Sequence, residues 1–242
     1  MSHSFASTAF LVTWLTARRP MIPLKAIFQA CGLALALLVG GGSAAAQPTD
    51  PASADPAPSQ LSLQAGIAAA EAGRLAEAIS NLSPHARQGN AMANYALGLI
   101  YMRGADDADA TAKLSHEHFK RAAQNGHVGA VFEVAFQFER GIGTEPDLKR
   151  ALRLYQLAAQ SNHLNAQYNL AVLLSNGAGV EPDLPQAYFW ITAAYHNAIR
   201  SPNPVLTEGR VRSLAQTIRA EIPYQQAAKA STAAARLAGQ PI

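Results

Sequence analysis

The sequence predicts an all-α fold in which helix pairs stack into a solenoid that ends in a C-terminal helical cap. Residues 128–163 read VGAVFEVAFQFERGIGTEPDLKRALRLYQLAAQSNH, and residues 164–197 read LNAQYNLAVLLSNGAGVEPDLPQAYFWITAAYHN. The shared residues of the two segments recur at one spacing of 36. Self-similarity at a fixed period of this length is typical of repeat proteins, in which each unit buries its apolar face against its neighbours.

Each copy is predicted to form two helices around a glycine turn. Apolar residues at helical spacing mark the first helix, and Gly141 and Gly143 supply the positive φ that a sharp reversal needs. Asp147 and Asp183 stand where the N-cap of the second helix belongs. The apolar stripes of the two first helices are Ala130, Val134, Ala135 and Phe138, and Ala166, Leu170, Ala171 and Leu174.

The repeated residues resemble the Sel1-like repeat, a subtype of the tetratricopeptide group. Three positions depart from its pattern: Ala171 replaces a helix glycine, Leu154 a tryptophan and Asn162 a terminal glycine. The resemblance implies a right-handed α/α solenoid whose first helices line a concave groove. The positions that carry it are Ala166, Leu170, Gly177, Gly179, Asp183, Ala187, Trp190, Ala193 and Ala194.

A looser third copy precedes these two and carries one extra residue in its turn, where Thr111 is expected to take the N-cap place of Asp147. After Asn197 the repeat pattern stops, and two more polar helical stretches are predicted to form the cap. The predicted order is a degenerate first helix pair at 61–90, repeats at 91–127, 128–163 and 164–199, and the helical cap at 200–242.

The N-terminus has the features of a signal peptide, residues 1–46, with Met21 as an alternative start. Lys25 precedes an apolar run, and Ala44-Ala45-Ala46 forms a small-residue cleavage site before Gln47. The predicted location is therefore the periplasm or the exterior, with membrane contact only through this segment during export. Residues 47–60, QPTDPASADPAPSQ, are rich in Pro and Ala and are predicted to be a disordered linker.

Charge and cysteine content exclude several classes of function. Three of the 19 basic residues lie in the first 46 residues, which contain no acidic residue, so the remainder holds 16 basic and 16 acidic residues. This balance gives no support to a nucleic-acid-binding face. Cys31 is the only cysteine and lies in the signal peptide, so disulfides and thiolate chemistry are not expected in the mature chain.

No catalytic, metal or cofactor site is predicted. His116 and His118 are two positions apart, so on a helix they point about 200° apart and do not share one ion. The acidic turn at 105–110 lacks the glycine and the distal Glu of an EF-hand loop. The chain also lacks the S-x-x-K pair of serine acyl-enzymes, so we do not expect an enzyme.

The predicted function is that of an exported adaptor, with a regulatory role as one form of it. Its partner would be a protein or a peptide segment of another envelope protein. A cell-wall or β-lactam hydrolase and a membrane-tethered spacer are the alternatives. Aromatic residues recur at one groove position, and whether they belong to the groove or the core is open. The candidate groove residues are Met92, Tyr95, Leu99, Arg103, Phe132, Phe136, Arg140, Tyr168, Val172 and Asn176.

Overall fold

The computed structural model describes residues 60–103, 108–200, 206 and 208–239. The predicted signal peptide and residues 47–59 of the linker lie outside these residues. The described part of the chain contains ten helices and no strand. They are α1 (Gln60–Glu71), α2 (Leu75–Arg87), α3 (Ala91–Met102), α4 (Ala108–Gln124), α5 (Val128–Arg140), α6 (Leu148–Gln160), α7 (Leu164–Asn176), α8 (Leu184–Arg200), α9 (Glu208–Ala220) and α10 (Tyr224–Gly239).

The helices pack in the order in which they occur along the chain. From α1 to α9 each helix packs against the next, and α10 packs back onto α8. This nearest-neighbour pattern is that of a solenoid built from helix pairs and confirms the predicted all-α α/α fold. Helix α1 begins at Gln60, which is the last residue of the predicted linker.

The turn between the two helices of a repeat has the predicted geometry. Gly141 and Gly143 have φ values of 68° and 69°, in the left-handed region that glycine adopts without a steric penalty. The Asp147 carboxylate accepts the Arg150 backbone N–H at 2.8 Å, and Asp183 accepts that of Gln186 at 2.9 Å. Each aspartate therefore caps the second helix of its repeat.

Gly143 also permits a close contact between repeats. A Cβ at this position would lie 2.1 Å from the Ala112 carbonyl oxygen on α4. Any larger residue would push the turn of one repeat away from the second helix of the preceding repeat. The glycine is thus required both by its dihedral angle and by the packing of adjacent repeats.

Three short segments join successive repeats, and we call them the repeat joints: residues 88–90, 125–127 and 161–163. The His127 N–H donates to the Ala122 carbonyl at 3.0 Å, and the His163 N–H donates to the Ala158 carbonyl at 3.1 Å. These bonds close a left-handed C-terminal motif. Asn162, with φ 59°, takes the place that glycine holds in the other joints, and asparagine tolerates this region better than most residues.

The expectation for Thr111 was wrong. Helix α4 already begins at Ala108, so Thr111 lies within the helix and is buried. The alanines at 108 and 110 favour helix, which lets the extra residue of this turn join the helix instead of lengthening the loop.

The C-terminal helices cover the end of the repeats. Helix α8 runs to Arg200, one residue beyond the predicted end of the third repeat, and both α9 and α10 pack against it. Val211 and Ile218 of α9 and Ala234 of α10 are buried. Their burial supplies α8 with the apolar neighbour that a fourth repeat would otherwise provide.

Gly98 of α3 shows how closely the two helices of a repeat approach. A Cβ added to Gly98 would lie 2.5 Å from the ring of Phe119, which is fully buried on α4. The equivalent first-helix positions hold Ala135 and Ala171. In the first repeat the Phe119 ring therefore lies directly against the first helix, where a methyl group would not fit.

We predict that Gly98→Ala lowers the free energy of unfolding by about 1–3 kcal/mol because the new methyl group overpacks the Phe119 site. Alanine favours helix, so the opposite sign is expected where space is open. Gly209→Ala on α9, where an added Cβ meets nothing within 4 Å, is the matched control and should be neutral or stabilising. Urea denaturation of both variants decides the point, and a stabilised Gly98→Ala protein would contradict the packing argument.

Candidate functional site: the first-helix face

The candidate groove residues form three rows across helices α3, α5 and α7, and we call them together the first-helix face. The first row is Tyr95, Phe132 and Tyr168, and the second is Leu99, Phe136 and Val172. The third is Arg103, Arg140 and Asn176, while Met92 lies near the start of α3. Exposure increases from the first row to the third, so the rows differ in what they offer a partner.

The first row lies mostly in the core. Tyr95 is 3% exposed and Phe132 is 8% exposed, whereas Tyr168 is half-buried. Tyr95 packs against Phe119 with ring centroids 5.7 Å apart, and Phe132 packs against Tyr155 at the same distance. The first row therefore belongs to the core at two of its three positions, and the groove interpretation of Tyr95 and Phe132 is wrong.

Histidines of the repeat joints cover the buried rings from the other side. The His127 ring stacks on Tyr95 with centroids 4.0 Å apart, and the His163 ring stacks on Phe132 at 4.7 Å. The position that would cover Tyr168 lies within α8, which continues without a joint. The exposure of Tyr168 thus follows from the end of the repeat array.

The second and third rows supply the accessible part of the face. Leu99 is fully buried and is a core residue, while Phe136 and Val172 are half-buried. Every residue of the third row is exposed: Arg103, Arg140 and Asn176. Met92 is half-buried. The accessible first-helix face is therefore a row of polar termini above a partly exposed apolar strip.

Arg140 is held in place by two neighbours. Its guanidinium lies 5.6 Å from the centre of the Phe136 ring, and its Nε is 3.3 Å from a carboxylate oxygen of Glu139. Cation–π contact and ion pairing both restrict the long side chain, which reduces the entropy lost when a partner binds. Arg140 is accordingly an exposed group that is already ordered before a partner binds.

A hydrogen-bonded chain centred on the buried side chain of Tyr155 fixes Glu139 in turn. The Tyr155 hydroxyl donates to Glu139 at 2.7 Å and accepts from the Asn169 side-chain amide at 3.1 Å. Burial and the nearby Glu139 carboxylate raise the pKa of Tyr155 well above its ordinary value, so the phenol stays protonated and remains a donor. The chain links α5, α6 and α7 beneath the exposed row.

The two neighbouring histidines of α4 engage different helices. His116 shares a 3.0 Å hydrogen bond with Gln137 of α5, and His118 shares one of the same length with Asn94 of α3. Burial lowers the pKa of both rings, which favours neutral imidazoles that pack between helices. In the described residues no group of three or more His, Cys, Asp or Glu residues is placed to hold a metal ion.

Sequence reasoning missed the role of the joint histidines. His127 and His163 accept the backbone N–H groups of Ala130 and Ala166 through Nδ1, at 3.1 and 3.3 Å, and so cap α5 and α7. Asn90 caps α3 in the same way at 2.9 Å. Because asparagine is a common N-cap, its place in the repeat phase was the signal that could have identified the two histidines.

None of the helices in the described part of the chain has the length and apolar character needed to cross a membrane.

The chain was compared with known families and structures. The family model described as the Sel1 repeat matches residues 91–127, 129–163 and 164–197. One similar structure is a protective antigen of uropathogenic Escherichia coli strains displaying an SLR fold, at 20% identity and a TM-score of 0.50. The match covers 73% of this chain and 44% of the antigen, so the chain spans less than half of its length.

A Sel1 repeat protein from Oxalobacter formigenes is similar at the same identity, 20%, and the same TM-score, 0.50, over 72% of this chain and 84% of its own. At this identity the likeness shows the fold alone. The comparison with curated proteins gives no match. Three consecutive family matches and two structural neighbours of the same type agree with the helix pairs described above. The chain therefore contains three Sel1 repeats between residues 91 and 197, and it has the fold of Sel1-like repeat proteins.

Proposed function

We propose that this protein is an exported adaptor that binds a peptide segment or helix of another envelope protein along its first-helix face. Sel1 repeats generally serve in protein–protein interaction, and the fold is typically a non-catalytic scaffold. Export to the periplasm or exterior, the envelope partner and a regulatory role of the complex are parts of the proposal. They derive from the signal-peptide pattern and from the character of the face.

The observation that carries the proposal is the exposed third row with its buried support. Arg140 is oriented by Phe136 and Glu139, and Glu139 is held by the buried Tyr155 hydroxyl. A binding surface gains affinity when its polar groups are ordered before the partner arrives. A hydrogen-bonded chain across three helices that ends at an exposed guanidinium meets this condition.

The chemistry of the face indicates what kind of segment it suits. Arg103 and Arg140 present cationic donors, and Asn176 presents a carboxamide that both donates and accepts. Phe136, Val172 and Tyr168 lie half-buried beside them. A segment that pairs acceptor groups, such as carboxylates, with apolar side chains matches this combination of donors and partly exposed apolar surface.

Photocrosslinking tests whether the partner binds on the first-helix face. A photoreactive residue at position 140 or 176 should give the same crosslinked partner in the cells that make the protein, because both positions lie on the first-helix face. A photoreactive residue at Gln156, exposed on α6, is the matched control and should not yield this product. Equal crosslinking from position 156, or crosslinking from there alone, would refute the proposed surface.

Substitutions in the first row should separate effects on folding stability from effects on partner binding. Phe132→Ala is expected to lower the free energy of unfolding by about 3–5 kcal/mol because it empties a buried site. Tyr168→Ala removes a half-buried ring and should cost about 1 kcal/mol. If the partly exposed ring of Tyr168 anchors the partner, the Tyr168 variant should also weaken partner binding by about 2 kcal/mol. Urea denaturation and crosslinking yield at position 176 measure the two effects, and unchanged yield would exclude Tyr168 from the surface.

Export is tested by the mass of the protein in the envelope. Cleavage after the Ala44-Ala45-Ala46 site should leave a mature chain that begins at Gln47. Intact-mass spectrometry of the periplasmic fraction should find this chain and no thiol, because Cys31 has been removed. A chain that retains residues 21–46 would support the tethered alternative instead.

A further inference from the structure

Two repeat joints carry the same arrangement of a histidine, a helix start and an aromatic ring. His127 caps α5 through Nδ1 and stacks on Tyr95, with the ring centroids 4.0 Å apart. His163 caps α7 through Nδ1 and stacks on Phe132, with the centroids 4.7 Å apart. Each imidazole therefore has two contacts at once, one to the next repeat and one to the preceding repeat.

The cap requires a neutral ring. Nδ1 accepts a backbone N–H, so the proton of the neutral imidazole must lie on Nε2. A second proton would occupy the Nδ1 lone pair and turn the acceptor into a donor that faces another donor. The added charge would also lie at the N-terminus of a helix, where the aligned peptide dipoles disfavour a cation. An imidazolium cannot keep this position in the joint.

The surroundings offer the protonated ring little compensation. From α3 the titratable group facing the His127 ring is the Tyr95 phenol, and from α5 the ring lies beside Gly129. The bond to the Ala122 carbonyl of α4 is made by the backbone N–H of His127. From α5 the uncharged ring of Phe132 faces His163, and the Ala158 carbonyl of α6 is bonded to the backbone N–H of His163. The titratable group that acts on the His163 ring is His127, which disfavours a second positive charge. An aromatic face attracts a cation, but this attraction does not supply a new acceptor for the helix N–H.

We propose that the joints at 125–127 and 161–163 respond to protons: protonation of His127 or His163 releases the helix cap, and the ring leaves the aromatic side chain that it covers. Tyr95 and Phe132, buried when the joints are closed, then become accessible. Acid would thus loosen the stacking between repeats and uncover apolar surface beneath the first-helix face. This proposal does not depend on the adaptor role.

The pKa values of His127 and His163 are shifted in the direction that this proposal requires. Burial lowers the pKa of His127, and burial together with repulsion from His127 lowers that of His163 to about 4. In the unfolded chain a histidine takes up its proton near pH 6.5, so the unfolded state binds more protons as the pH falls below that value. The stabilisation is therefore complete above about pH 6.5 and decreases progressively toward pH 4.

The joint at 88–90 has an asparagine, which does not titrate, at the place where the other two joints have a histidine. Asn90 occupies the equivalent place and caps α3 by accepting the Ala93 N–H at 2.9 Å. A His127→Asn/His163→Asn variant should keep both caps, lose the stacking contacts and lose the titration. Its absolute stability will differ from that of the wild type because the stacking contacts are lost, so the informative quantity is the change of stability with pH. 

The experiment compares urea unfolding at about pH 7 and about pH 4.5, on either side of the range in which the joints lose their stabilisation. The wild-type unfolding constant should rise at least roughly tenfold more than that of the Asn variant between these values. His116→Gln/His118→Gln is the control, because these rings also have lowered pKa values but lie outside the joints. By the same linkage it should lose part of the acid response but keep the part that comes from the joints, which only the Asn variant should lose. Equal responses of wild type and Asn variant, or a response lost only in the control, would overturn the proposal.

Nuclear magnetic resonance of the wild-type protein provides a test that needs no variant to fold. The amide signals of Ala130 and Ala166 should shift together with the ring signals of His127 and His163 as the pH falls. Binding of an apolar dye should rise over the same range, because Tyr95 and Phe132 become accessible. Ring protonation without a change at the two amides, or without dye binding, would show that the joints stay closed.

Discussion

The joint between repeats is the contact on which the rest of the structure depends. In each joint a left-handed residue, Gly89, Gly126 or Asn162, turns the chain, and the next residue ends one helix and caps the following one. One residue thus satisfies backbone groups on two helices that belong to different repeats. The joint leaves little freedom in how successive repeats are placed, so equivalent side chains recur in equivalent surroundings. The matching ring pairs of successive repeats, both at 5.7 Å, are a direct consequence.

Local rules were sufficient to predict the elements, because each helix boundary is set by residues a few positions away. Gly141, Gly143 and Asp147 form the turn and cap that their sequence indicates. The prediction that Thr111 is an N-cap was wrong because an extra residue next to alanines could extend the helix as easily as the loop. The exposure of Tyr95 could not be predicted from its neighbours in the sequence either. It depends on His127, 32 residues further along the chain, whose ring orientation is set by a backbone hydrogen bond of the next helix.

The accessible surface changes along the array for the same reason. Tyr95 and Phe132 are each covered by the histidine of the following joint, but α8 extends through the place where a further joint would stand. The cap helices seal α8 and leave Tyr168 half-buried. The end of the array therefore creates an opening in a face that is otherwise closed at this level. A partner that uses an aromatic anchor would engage the third repeat more readily than the first.

Stability and surface are coupled in this protein because the same helices provide both. The Tyr155 hydroxyl holds Glu139 under the exposed Arg140, and its Asn169 partner belongs to α7, the helix that His163 caps. A change at the 161–163 joint therefore acts on one support of the exposed row as well as on the cover of Phe132. In a globular core such an effect would spread among many neighbours. In a solenoid each repeat contacts only the next, so the effect passes along the array through the joints.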